Sequence, residues 1–463
     1  MTKCITAKCI AAKCIAAKVK AVLALLLQAA LLLTCIVPVR AANEDRLISD
    51  YMAEFRAGTK CKAVSAVVVR DNNAEIYGDA GGLYRIGSMT KAFTGLGIQK
   101  LISDGLIDED DNISEWIPGF TAYYDGESCE ITIRRLLEQT SGYTNKESDY
   151  PGATEEMSLM EWAESIAGRE LNSKPGTEYA YSNANYNLLG AVIEQAAGKT
   201  YKEYMETEIL KPLGLVNTYV QLAAEDARVI PGSRLGYRRC FTYTISVAPG
   251  QIPAGYFYSN AADMARWICI WMGTADIPEE YKELVCSVKE RLKNTGDYYS
   301  GWEFFENGTI GHSGGTPDYS SRIVFSDKEK IGVCVLTNLN VAASTDSLCN
   351  GIYATSAGRK FGMIQTDVWT FFDNIFTAVT VMGLLLIAMS VGVKHRGILI
   401  GAECFLIILL ISVCTVMPLA FGAGLGKIMI TWAPYSFAGG LFMLAVGALA
   451  IAIKLWMMRK NEN

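Results

Sequence analysis

Histidine is nearly missing from this chain: two residues in 463, His312 and His395. That scarcity leaves little material for a Ser-His-Asp triad or a histidine metal site, since each needs imidazole beside other reactive groups. Positive charge is also short. Forty-two Lys and Arg stand against 48 Asp and Glu, a net −6 at pH 7, which argues against nucleic acid as a main partner. With 51% hydrophobic residues the chain is not disordered. Its 13 cysteines are too dilute for a small disulfide scaffold.

The charge that is present is unevenly placed. Residues 1–43 carry +6, residues 44–367 carry −15 and residues 368–463 carry +3. The chain therefore divides into a basic leader, an acidic middle and an apolar tail. In the leader, Lys-Cys-Ile recurs at Lys3, Lys8 and Lys13, a five-residue period that builds neither a helical nor a strand face. A metal-binding cysteine tract is the alternative there. An apolar run over 21–37 follows, so residues 1–42 read as a signal peptide or N-terminal anchor, with the rest exported. The tail holds three apolar runs, 369–393, 397–420 and 429–453, each long enough to cross a bilayer. Lys394, His395 and Arg396 separate the first two, and Lys454, Arg459 and Lys460 follow the third. The positive-inside rule puts these clusters in the cytoplasm and the acidic domain, 43–365, outside. Residues 366–463 are then a three-helix transmembrane tail in contact with lipid. Glu403 lies in the second run, close enough to its cytoplasmic end to snorkel.

Strand-like stretches open and close the acidic domain. Val64–Arg70 is rich in Val, with a turn at Asp71-Asn72-Asn73. Near the other end come Trp302–Phe305, an Asn307-Gly308 turn, Thr309–His312, and a hairpin of Ser321–Phe325 with Ile331–Leu336. Between them the pattern is mainly helical. The expected fold is α+β: one antiparallel sheet built from both ends, interrupted by a helical subdomain. Seven cysteines fall in this domain, an odd number, and the expectation is a reduced, buried set.

Three patterns carry chemistry. Ser88-Met89-Thr90-Lys91 opens a helix whose apolar positions Met89, Ala92, Phe93, Leu96 and Leu101 bury one side. Ser at i and Lys at i+3 then share a face, and a desolvated Lys can take the serine proton. A helix cap with a solvated Lys is the plain alternative. Tyr181-Ser182-Asn183 brings a phenol and a carboxamide together on a short loop. The phenol acts as a base only beside a cation, which Lys91 could supply; a turn with a packed Tyr is the alternative. His312-Ser313-Gly314-Gly315 ends a strand, where glycines let a substrate approach and a backbone N–H can serve an oxyanion. With so little histidine, serine chemistry here has to run on Lys and Tyr.

The order of these motifs, with Tyr84-Arg85-Ile86-Gly87 before Ser88, Gln139-Thr140-Ser141-Gly142, Pro175-Gly176-Thr177, Lys211-Pro212-Leu213-Gly214, Pro253-Ala254-Gly255 and Tyr258-Ser259, resembles the serine β-lactamase and penicillin-binding-protein-like hydrolase family, in its class C and D,D-peptidase-like branch. The likeness spans roughly residues 45–360. It implies a β-lactamase/transpeptidase-like fold with the site between helical subdomain and sheet. It implies Ser88 as acylated nucleophile, Lys91 as its activator and Tyr181 as general base. Asn183, His312 and Gly314 would hold substrate, and the N–H groups of Ser88 and Gly315 would form the oxyanion hole. No metal or organic cofactor is called for. Two positions depart: His312 stands where β-lactamases carry Lys, weakening the grip on a substrate carboxylate, and Gln139 replaces the usual His without evident catalytic cost. The substrates implied are small molecules or peptides with a D-amino-acid amide or ester. A prodrug-activating D-amino-acid peptidase of a nonribosomal peptide pathway shares this layout. A non-catalytic penicillin-binding sensor is the reading from outside enzymology.

Overall fold

The computed structural model describes residues 48–145, 156–223 and 225–460. The leader repeat and the segment expected to be a signal peptide or anchor lie outside the described residues. The described chain falls into two compact units. Among the described residues, one comprises the span from 48 to 234 and residues 240–367, the other residues 235–239 and 368–460.

The first unit is built on a seven-stranded antiparallel sheet. Its strands are β1 (Val64–Arg70), β2 (Asn73–Tyr77), β3 (Tyr298–Tyr299), β4 (Trp302–Phe304), β5 (Ile310–Gly315), β6 (Ser320–Ser326) and β7 (Ile331–Thr337). Their order is β3-β4-β5-β6-β7-β1-β2, so the two ends of the domain meet where β7 pairs with β1, Val67 opposite Cys334. This is the expected sheet. Every residue of β6 and β7 and all of β1 but Arg70 are buried, which is why these strands read as continuous apolar runs. Helices α1 (Ile48–Thr59) and α6 (Ala342–Ser356) pack together, α6 against β6 and β7, while α4 (Ala261–Trp271) lies against β1 and β7.

The helical insertion is centred on α2 (Thr90–Ser103), against which α3 (Asn183–Ala197) and α5 (Glu279–Thr295) pack. Here the expectation of one buried side is corrected. Every residue from Thr90 to Gln99, and Leu101, is buried, because α2 is enclosed by other helices and by the β3–β4 bend. Lys91 is consequently a core residue. The expectation for the cysteines holds in part. No disulfide joins the described cysteines; Cys61, Cys240, Cys269, Cys334 and Cys349 are buried, but Cys129 is half-buried and Cys286 exposed.

The second unit contains three helices long and apolar enough to cross a membrane: α7 (Val368–Gly392), α8 (Arg396–Phe421) and α9 (Tyr435–Lys460), of mean hydropathy 2.2, 2.7 and 2.2. At 25 or 26 residues each and 1.5 Å per residue, they exceed a ~30 Å hydrocarbon layer. The third begins later than the expected residue 429. Pro434 holds Ala433 extended, at φ −70° and ψ 149°, so the turn over Ile428–Trp432 ends and a new helix starts at Tyr435. Glu403 keeps one carboxylate oxygen shielded without a hydrogen-bond partner among the described residues.

Candidate active site

Ser88 sits in a short 3₁₀ turn, Gly87–Met89, that leads directly into α2. The turn is stitched down on both sides. Ile86 donates its N–H to the Phe257 carbonyl and accepts from the Ser321 hydroxyl, at 2.9 and 2.8 Å. Arg85, one residue earlier, is buried and pairs with Asp318 at 3.1 Å, with Tyr258 Oη and the Ile245 carbonyl taking its other donors. Gly87 has φ +52°, a conformation that costs an L-residue energy, and it turns the chain so that Ser88 faces the end of β5. A Cβ on Gly314 would overlap the Ile86 carbonyl and the Ser321 hydroxyl. The glycines of the motif therefore let β5 run against the Ser88 turn, bringing the Gly315 N–H beside Gly87.

Lys91 lies one turn after Ser88. Its Nζ is 3.1 Å from Ser88 Oγ, 2.7 Å from Asn183 Oδ1 and 2.6 Å from the Ala254 carbonyl. Burial alone pushes its pKa well below the usual lysine value. No carboxylate is ion-paired with it among the described residues. A neutral amine has two N–H donors and one lone pair. The donors match the two carbonyl oxygens, and the lone pair then falls to Ser88 Oγ–H. The arrangement fits a proton acceptor for serine.

Tyr181 is held in the same cluster. Lys91 Nζ stands 4.8 Å from the centre of its ring, and its Oη lies beside the Ser88 hydroxyl without a well-aligned hydrogen bond. Burial raises the Tyr181 pKa strongly, the Ser88 hydroxyl opposing and the Glu303 carboxylate adding to the rise. The resting phenol is therefore protonated. Tyr181 can act as a base only beside a charged Lys91, and the lowered lysine pKa works against that state, so the phenol is better placed to donate. Ser182 caps α3, its Oγ accepting from the Ala184 N–H, and Asn183 is the first residue of that helix, turned to Lys91.

His312 is buried on β5. Its Nδ1 donates to the Ser313 carbonyl at 2.6 Å and its Nε2 faces Tyr298 Oη at 3.3 Å; these contacts assign the tautomer. Burial, the largest cause, brings its pKa down to about 3, so it is an uncharged ring against Tyr181 and Tyr298. Strand β4 pairs with β5 only at Ile310 and Gly311. Among the described residues no strand pairs with Ser313–Gly315 on that side, leaving an open edge beside Ser88 that an extended substrate can join.

Ser88, Lys91, Tyr181, Asn183, His312, Gly314 and Gly315 are all brought together. Three contributors were not assigned a role from sequence. The Ala254 carbonyl belongs to the Pro253-Ala254-Gly255 motif, but a backbone acceptor 163 residues from Lys91 has no local signature. Tyr298 lies on β3, far from the motifs. Gln139 has φ +58°, and its main-chain and side-chain oxygens accept from Ala180 N and Ser182 N, both at 2.9 Å. It grips the chain on either side of Tyr181.

Known proteins share this fold and sequence pattern. Protein flp of Staphylococcus aureus (strain N315) is 28% identical over 411 residues, covering 81% of each chain. A penicillin-binding protein homologue from Pyrococcus abyssi superposes with a TM-score of 0.56 at 22% identity, covering 71% of this chain and 80% of that one. A D-stereospecific amidohydrolase from Streptomyces sp. superposes with a TM-score of 0.53 at 22% identity, covering 66% and 98%. The profile of the β-lactamase family matches residues 45–354, the stretch that holds every residue of the site, and the chain belongs to that family.

Proposed function

We propose that the protein is a membrane-tethered serine hydrolase that works outside the cytoplasm, through an acyl-enzyme, on amides or esters of D-amino acids. The observation that carries the reading is the buried Lys91 amine, 3.1 Å from Ser88 Oγ with its two N–H donors matched to other oxygens. Ser88 Oγ attacks the substrate carbonyl carbon as its proton passes to Lys91 Nζ. The carbonyl oxygen becomes an anion facing the N–H groups of Ser88 and Gly315. Tyr181 gives its proton to the departing nitrogen or oxygen and regains one from Lys91. Water then attacks the acyl-enzyme, releasing the acid and restoring Ser88. The Streptomyces amidohydrolase of similar fold supports the D-stereochemistry. The Lys394–Arg396 and Lys454–Lys460 clusters at the ends of apolar helices support the orientation. The three spans also fit a prodrug-activating D-amino-acid peptidase.

A screen of the full chain in detergent tests this reading against D-alanyl esters, D-Ala-D-Ala peptides, N-acyl-D-Asn amides and nitrocefin. Turnover of a D-ester or D-amide well above that of nitrocefin, lost in Ser88→Ala, is the expected result. Activity on the N-acyl-D-Asn amides alone would select the prodrug peptidase. If none of the four is turned over, the hydrolase reading fails.

A further inference from the structure

The lip of the cleft carries charge that the reaction itself does not use. On β5, Ser313 points away from His312 and shares a face with Arg322 of β6, its cross-strand partner. The Ser313 hydroxyl receives a hydrogen bond from Arg322 Nη1 at 2.7 Å and lies 2.9 and 3.0 Å from the two oxygens of Asp346, on α6. Its single proton is thus committed to a carboxylate. Glu303 lies on the same face: it sits opposite Gly311 on β4, and its charge is felt by both Tyr179 and Tyr181. It makes no ion pair among the described residues. Arg322, 8% exposed, is packed over the Phe305 ring, and it forms no ion pair with either acid within 4 Å. Two carboxylates thus face a single guanidinium along this edge of β5; burial raises the pKa of each acid and Arg322 opposes that rise.

We propose that this edge selects substrates bearing an ammonium group, held by Asp346 and Glu303, over substrates bearing a carboxylate; the proposal rests on the serine-hydrolase reading above. Ser313 lies two residues from Gly315, roughly 6–7 Å along the strand. That span is reached by an ammonium close to the scissile carbonyl on either the acyl or the leaving side. A carboxylate at the same place meets Asp346 and a serine with no donor left.

Two ester series measured on the full chain in detergent micelles test this. One contains glycerol esters of D-alanine, N-acetyl-D-alanine and N-succinyl-D-alanine. The other contains N-acetyl-D-alanyl esters of ethanolamine, ethylene glycol and glycolate. The ammonium member should exceed the carboxylate member in kcat/KM by about tenfold or more in at least one series. Asp346→Asn combined with Glu303→Gln should narrow that ratio to about threefold or less, and Asp346→Lys should turn it toward the carboxylate. Carboxylate or neutral members leading in both series of the wild-type protein would overturn the proposal, whatever the variants do. A ratio that survives both substitutions would overturn it too. Titration with a fluorophosphonate counts competent sites in each protein. Labelled Ser88 without an ammonium preference sinks this proposal alone, whereas wild-type Ser88 that takes no label sinks the hydrolase reading and the proposal with it.

Discussion

Where one proton rests decides the chemistry of Ser88. Lys91 accepts it only as a neutral amine, and burial lowers the pKa of that amine, so the neutral fraction grows as pH rises through the lowered value. Tyr181 moves the other way, staying protonated as a donor to the leaving group. His312, brought down to about 3, does not change charge in the working range. The rate of Ser88 acylation by a fluorophosphonate, followed from pH 5 to 10, should therefore show one ascending limb and then a plateau. His312→Gln should keep that limb at the same midpoint. A limb that disappears in His312→Gln would assign the base to the histidine instead.

At the scale of elements, the turn before α2, the start of α3 and the end of β5 have to be held together to a fraction of an ångström. Gln139 serves that end from a left-handed conformation, gripping the residues before and after Tyr181. Gln139→Ala strands the Ser182 N–H and the Asn185 amide, both now bonded to its side chain, at a cost of about 1–3 kcal/mol for each buried group. Acylation should slow by roughly tenfold to a hundredfold, more than the loss of folded protein measured by thermal melting explains. Equal labelling rates in a folded variant would show the brace to be idle. The sheet strands and the Ser88, Lys91, Tyr181 and His312 motifs were legible because each is a local run with its own period or spacing. The Ala254 carbonyl, Gln139 and Asp346 were not. Their roles come from chain reversals that place distant backbone and side chains around Lys91, Tyr181 and Ser313. The full burial of α2 was hidden for the same reason, since a helix enclosed by its neighbours and a one-sided helix can share their first apolar stripe.

For the whole molecule, a low-charge acidic chain resolves into a hydrolase unit that holds the acidity and a second unit that holds the apolar helices. The proposed topology has a direct consequence at Cys286, the exposed thiol of the hydrolase unit. A membrane-impermeant maleimide added to intact cells should label it, and Cys286→Ser should remove that label. Labelling only after the cells are broken would place the domain in the cytoplasm.

The central claim is that Ser88 is a nucleophile activated by Lys91. Intact-mass and peptide mass spectrometry of the fluorophosphonate-treated full chain test it most directly. One adduct per chain, mapped to Ser88 and slowed by roughly a thousandfold or more in Lys91→Met, is the result expected. An unmodified Ser88, an adduct on another residue, or a Lys91→Met chain labelled at the wild-type rate would contradict it.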